Sequence, residues 1–340
     1  MDPQVYARQR FAQTTPRMAW KPGAPEEMRR RQNALRSRVR ALVGGILRER
    51  PPLKPVIHES RQFPRYRRET VRFESRPGLE VFGYYLVPAD CPPKRPAILC
   101  LPGHGRGVDS IVGIAEDGSL RDLERPDEYQ ADFALQCVAH GYPTFALEQI
   151  SFGHRRDQQA QRSGGGASSC TRDSTAALML GETMTGWRIW DAMRGLDFLA
   201  TRPQVDPRRM ATMGISGGGL TSFWTACLDT RVKVAVVSGY FNTFRDSILA
   251  MDHCVDNYVP GILALTEMPD MAGLIAPRAL FVESGTQDPI FPLPAFQRAV
   301  ARAQEIYAAW GASEKFGSEV FEGDHQFYGR GAFRFLEKHL

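Results

Sequence analysis

No run of about eighteen apolar residues occurs in the 340-residue chain, so no membrane-spanning helix is expected. The stretch MDPQVYARQRFAQTTPRMAW also lacks the apolar centre of a secretory leader, and the chain reads as cytoplasmic. Cysteine is sparse: six residues, at 91, 100, 137, 170, 227 and 254, form no C-x-x-C pair and no short regular spacing. That pattern excludes a small disulfide-stapled scaffold and points to reduced, buried thiols. The seven histidines are dispersed, with no H-E-x-x-H and no paired Cys/His spacing, so no metal is expected. No internal repeat is present, which excludes a propeller or solenoid.

Charge is plentiful but uneven. The formal charge is +5, yet residues 1–72 hold sixteen arginines and two lysines against six acids. Such an imbalance raises the question of a nucleic-acid surface. The stretch EEMRRRQNALRSRVRALVGG answers it, because Met28, Leu35, Val39 and Leu42 recur at helical spacing and the arginines fall largely on the other faces. An amphipathic helix with a solvated basic face accounts for the charge, and neither a nucleic-acid nor a membrane partner is expected.

Beyond this helical start, VRFESRPGLEVFGYYLVP reads as two strands around the turn Arg76-Pro77-Gly78. Apolar runs then follow that are too continuous for strands with one wet face: AILCL, PTFAL, RMATMGI, VKVAVVSG and RALFVESG. Helical patterns lie between them, notably Ser174 to Ala200 and Pro294 to Trp310. The alternation predicts an α/β fold with a mostly parallel central sheet flanked by helices. The expected division is an Arg-rich helical extension over 1–70, packed on a main domain over 71–340 that opens with the β-hairpin. Two polar, Gly-rich interruptions, 105–130 and 151–173, read as long loops; the second is expected to form part of the wall over an active site.

The stretch MGISGGGL holds the pattern G-x-S-x-G, after a predicted strand and before the helical run LTSFWTACL. A serine at so sharp a strand-to-helix turn has strained backbone, and Gly214 and Gly218 leave room for strand and helix to approach. Ser216 is therefore the candidate nucleophile. A serine needs a base, and the base needs an orienting carboxylate. Asp288 follows the strand RALFVESG, and His325 follows the short apolar strand in SEVFEGDHQF; both stand on strand-exit loops in the order Ser, Asp, His. Glu283 and Asp324 are the rival carboxylates, the first placed before the strand exit, the second adjacent to His325 in the chain. The amide of Gly217 is the first expected oxyanion donor, and the amide of Arg106, in the loop after AILCL, the second. His104 in the same loop reads as an orienting hydrogen-bonder.

With these residues the chain resembles the α/β-hydrolases, in the branch of acetyl xylan esterase-like and dienelactone hydrolase-like serine esterases. The resemblance runs from about Val71 to Leu340 and includes GHGRG, SFGHRRD, WDAMRGLDFLATRPQVDPRRM, SGYFNTFRDS, DHCVDNYVPG and LIAPRALFVESG. It departs from the branch where deacetylases carry Gln after the nucleophile, here Gly217, and where dienelactone hydrolases carry Cys, here Ser216. The resemblance implies a cofactor-free carboxylesterase acting on small acyl esters, such as acetyl groups on carbohydrates. It is compatible with a homo-oligomer. His104, Tyr240, Asp252, His253 and Tyr258 are the candidate pocket residues. Two other readings stand beside it: a prolyl-oligopeptidase-like peptidase, and a non-catalytic binding protein on the same scaffold.

Overall fold

The apolar runs form the middle of a nine-stranded sheet in the computed structural model, which describes residues 2–121, 129–164 and 167–340. The strands are β1 (Val56–Gln62), β2 (Tyr66–Arg76), β3 (Leu79–Pro88), β4 (Arg95–Leu101), β5 (Thr144–Leu147), β6 (Val205–Ile215), β7 (Val232–Ser238), β8 (Ala279–Gly285) and β9 (Phe316–Phe321). Their order across the sheet is β1-β2-β3-β5-β4-β6-β7-β8-β9. The pairings among β1, β2, β3 and β5 are antiparallel, and those from β5 through β4 to β9 are parallel. All parallel strands therefore end on one edge, where open α/β sheets place their ligands.

The helices are α1 (Pro3–Gln13), α2 (Pro25–Val43), α3 (Phe133–Ala139), α4 (Gln158–Arg162), α5 (Cys170–Met179), α6 (Met184–Ala200), α7 (Gly217–Leu228), α8 (Met268–Ile275), α9 (Leu293–Ala309) and α10 (Arg330–His339). Alternation along β4 divides the core. Leu99 and Leu101 face one side with residues of α2, α6, α7, α8 and α9, and Ile98 and Cys100 face the other with residues of α3 and α10. Both faces are covered, which is why these strands carry no polar alternation.

Two expectations are corrected. Residues 1–70 are not all helical: β1 and the first half of β2 lie there, and the division at 70/71 falls inside β2. Every residue of β1 is exposed, so VIHESRQ carries no burial pattern from which a strand could be read. The helix read over Ser174 to Ala200 is two helices, interrupted at Gly181, whose φ of +74° belongs to the left-handed region. Thr183 caps the second, its Oγ1 accepting from the Gly186 amide at 2.9 Å.

The amphipathic α2 is fastened through its polar side as well as its apolar one. Gln32 Nε2 donates to the carbonyls of Gly273 and Ala276 at 2.7 and 2.6 Å, and Arg36 donates to those of Cys227 and Leu274 at 3.0 and 2.8 Å. These carbonyls close α7 and α8, where the helices have no internal donors left to satisfy them.

Candidate active site

Ser216 joins β6 to α7 with φ 54° and ψ −120°, a conformation costly for a residue with a side chain. Its neighbours make the turn possible. A Cβ on Gly214 would stand 2.3 Å from the Gly218 carbonyl oxygen, and one on Gly218 would stand 1.9 Å from that of Leu101. Backbone fills the space on both sides, so only glycine fits. Gly217 opens α7, and its amide is one of the donors at the positive end of the helix dipole.

His325 Nδ1 lies 2.7 Å from Asp288 Oδ2, in the loops that follow β9 and β8. The other oxygen of Asp288 accepts the amides of Ile290 and Phe291, each at 2.9 Å, so the carboxylate is fixed from both ends. The imidazole sits between the rings of Tyr129 and Phe291, at 5.5 and 5.7 Å between centroids. Its Nε2 is buried and makes no hydrogen bond among the described residues. Glu283 points elsewhere: it accepts the amides of Tyr328 and Gly329, each at 3.0 Å, and burial raises its carboxyl to about 7. Asp324 accepts the amide of His325 itself at 2.7 Å.

Ser216, Gly217 and His325 line one cavity of about 460 Å³. Its wall is completed by His104 and Tyr129, by the segment 251–254 with Asn257, and by Ile290 and Phe291. Of the candidate pocket residues, His104, Asp252 and His253 are thus in place. Tyr240 and Tyr258 are not: the first is buried and accepts from Trp224 Nε1 at 3.3 Å, and the second donates to the Ile248 carbonyl at 3.3 Å. Arg106 is also outside the cavity lining. It precedes a 3₁₀ turn over Gly107–Ile111, and its guanidinium donates to the Ile114 carbonyl at 2.7 Å. No described residue of 151–173 lines the cavity. Phe152 packs behind it instead, its ring 4.4 Å from that of His104.

Residues 6–309 match the Abhydrolase family. The chain belongs to that family. This Abhydrolase-family chain is 27% identical over 237 residues to YtaP of Bacillus subtilis (strain 168), a provisionally named hydrolase, covering 68% of this chain and 73% of that one. Among solved structures it resembles a provisionally named acetyl xylan esterase from Bacteroides fragilis NCTC 9343, with a TM-score of 0.79 at 20% identity, over 99% of this chain and 89% of the other. A glucuronoyl esterase from Solibacter usitatus gives 0.67 at 16% identity over 96% and 98%. An acetyl xylan esterase from Paenibacillus sp. R4 gives 0.58 at 17% over 98% and 99%. The architecture shared with these proteins is the α/β-hydrolase fold.

Two buried polar groups of this Abhydrolase-family chain escaped the sequence reading. Glu148, just after β5, accepts the amides of Val108 and His154, each at 3.2 Å, and fastens the loop after β4 to residue 154. Gly107 and Gly153 leave room for it, and burial raises its carboxyl to about 7. Glycines in GRG and SFG were the available signal, but neither names its partner. The second group lies behind His104, whose Nε2 is 3.2 Å from Asp256 Oδ2. Burial disfavours the imidazolium, but Asp256 outweighs burial and raises His104 to about 9. Asp256 also pairs with Arg188, and both side chains are 1% exposed.

Four atoms of zinc-binding type, one each from His104, Cys170, Cys254 and Asp256, lie within 4.8 Å of one another. Their arrangement suits a metal poorly. The two sulfurs are 2.8 Å apart, whereas thiolates each about 2.3 Å from a tetrahedral zinc stand well over 3 Å from one another. The Asp256 carboxylate is already engaged by Arg188 and by Asn257 Nδ2 at 2.7 Å.

Proposed function

We propose that this chain is a serine carboxylesterase acting on small acyl esters, with Ser216 as nucleophile, His325 as base and Asp288 as its orienting acid. The observation that carries the reading is the polarity of His325: one ring nitrogen is held by a buried carboxylate and the other is unengaged, in the cavity that Ser216 lines. With Nδ1–H donated to Asp288, Nε2 is the basic atom. It takes the hydroxyl proton as Ser216 Oγ attacks the ester carbonyl, and Asp288 stabilises the imidazolium so formed. The proton then passes to the leaving alcohol. Water repeats the sequence on the acyl-enzyme.

The developing oxyanion is met by the Gly217 amide at the start of α7. For the second donor we assign the His104 amide, since His104 is the residue of the loop after β4 that lines the cavity. A cavity of about 460 Å³ suits a ligand of modest size. Asp252, His253 and Asn257 offer polar contacts to an alcohol portion such as a sugar, in keeping with the carbohydrate esterases of similar fold.

The test is a hydrolysis panel: acyl esters from acetyl to decanoyl, acetylated xylo-oligosaccharides, and aminoacyl amides. Fastest turnover on short acyl esters is the expected result. Preference for aminoacyl amides would replace the esterase with a peptidase, and no turnover of any substrate would favour a binding protein.

A further inference from the structure

Cys170 and Cys254 stand 84 positions apart in the chain, yet their Sγ atoms are 2.8 Å apart. Cys254 is partly exposed on the cavity wall, and Cys170 is buried behind it at the start of α5. Cys170 is a buried thiol of the kind the sequence suggested, and Cys254 is not fully buried. The buried guanidinium of Arg188 reaches Cys170 Sγ at 3.6 Å, and the His104 imidazole flanks the same sulfur. These two cations, partly offset by the nearby Asp256 carboxylate, favour a shared-proton pair, thiol against thiolate. The hydrogen bond from Cys254 is the largest influence holding the Cys170 thiol below its usual range, and Arg188 and His104 add to it.

We propose that Cys170 and Cys254 form a redox-active pair in the cavity wall, closed to a disulfide by a hydroperoxide and reopened by a small thiol. In the resting pair the thiolate is favoured on Cys170 and the proton on Cys254. The Cys170 thiolate takes that proton as Cys254 Sγ, the sulfur that faces the cavity, attacks the hydroperoxide ROOH and breaks the O–O bond. With one proton taken from solvent, the products are Cys254 sulfenic acid and ROH. Cys170 Sγ then displaces the sulfenic oxygen, which leaves as water with the Cys170 proton, and the S–S bond forms. Two sulfurs are oxidised and one peroxide is reduced. In reverse, two molecules of RSH restore both thiols and leave as RSSR. The bond ties the start of α5 to the segment that walls the cavity.

The chain supplies its own controls. Cys100 and Cys137 are 3.7 Å apart but fully buried with no cation beside them among the described residues, and Cys91 is partly exposed with a thiol that burial pushes up. The experiment exposes the full chain to hydrogen peroxide, alkylates the remaining thiols and maps peptides under non-reducing conditions. A 170–254 linked peptide is expected, formed at least about tenfold faster than Cys91 is oxidised and erased by dithiothreitol. Cys170→Ser and Cys254→Ser should each abolish it, while Cys100 and Cys137 stay alkylatable. Sulfinate at Cys254 without the linked peptide, or closure no faster than oxidation of Cys91, would overturn the proposal. So would elemental analysis finding one equivalent of zinc that must be chelated before either thiol reacts.

Discussion

Nδ1 of His325 lies 2.7 Å from Asp288, while Glu283, five positions earlier, is buried on the amides of Tyr328 and Gly329. Two carboxylates near one strand end thus have different partners. Asp288→Asn should lower kcat on an acetyl ester by about 10³–10⁴-fold, because the amide favours the wrong imidazole tautomer. Glu283→Gln should leave kcat within about tenfold of wild type, since it holds Ser238 and the turn beyond the histidine rather than the histidine itself. A reversed ranking in steady-state kinetics would move the acid to Glu283.

Ser216→Ala should cost at least about 10³-fold in kcat with an unchanged circular dichroism spectrum. The positive φ at this position strains alanine as it does serine, so the fold loses nothing by the exchange. Turnover near that of wild type would remove the nucleophile from the scheme.

Gly218→Ala should be far harsher on folding. Its methyl group would sit 1.9 Å from the Leu101 carbonyl oxygen, and backbone on both sides has no rotamer by which to yield. A loss of about 2 kcal/mol or more in urea unfolding is expected, in line with overpacked interiors. Wild-type stability would mean that the elbow is looser than the contacts imply.

Burial raises Glu148 and Glu283 to about 7 from an unfolded value near 4.5. The sign follows: their contribution is fully present below about pH 4.5 and is lost as pH rises through 7. Between pH 5 and 8, wild type should therefore lose stability relative to Glu283→Gln, by up to about 3 kcal/mol. Parallel urea midpoints across that range would contradict it.

Arg188 and Asp256 form an ion pair in which both side chains are 1% exposed. Asp256→Asn leaves a buried guanidinium without its counter-charge and should cost about 3–5 kcal/mol. The double variant Arg188→Met with Asp256→Asn should recover part of that loss. Additive losses in the cycle would show the two side chains to be uncoupled.

Legibility followed the distance over which each feature is determined. AILCL and VKVAVVSG announced buried strands because helices cover both faces of the sheet there, so apolar residues run on without alternation. The order of Ser216, Asp288 and His325 was readable because each sits just past a recognisable strand. The strand over Val56–Gln62 was not, as both its faces are wet and only the pairing with β2 makes it a strand. The glycine-rich loop after β4 gave no local pattern to tell that His104 lines the cavity while Arg106 stands at the start of a 3₁₀ turn. The meeting of Cys170 with Cys254 depends on two loops whose approach no local pattern records.

The fastening of α2 also sets an order of events in synthesis. The carbonyls that Gln32 and Arg36 hold lie 191 to 244 residues further along the chain. At ribosomal speeds of roughly 5–20 residues per second, the helix waits on the order of ten to fifty seconds for its docking site to be made. During that wait its apolar stripe, with Leu35, Val39 and Val43, has at most the part of its native cover that α6 supplies. The dense arginines around the stripe keep the waiting segment hydrated and mutually repelling. Charge that reads as surplus on the finished protein is then of most use before the protein is complete.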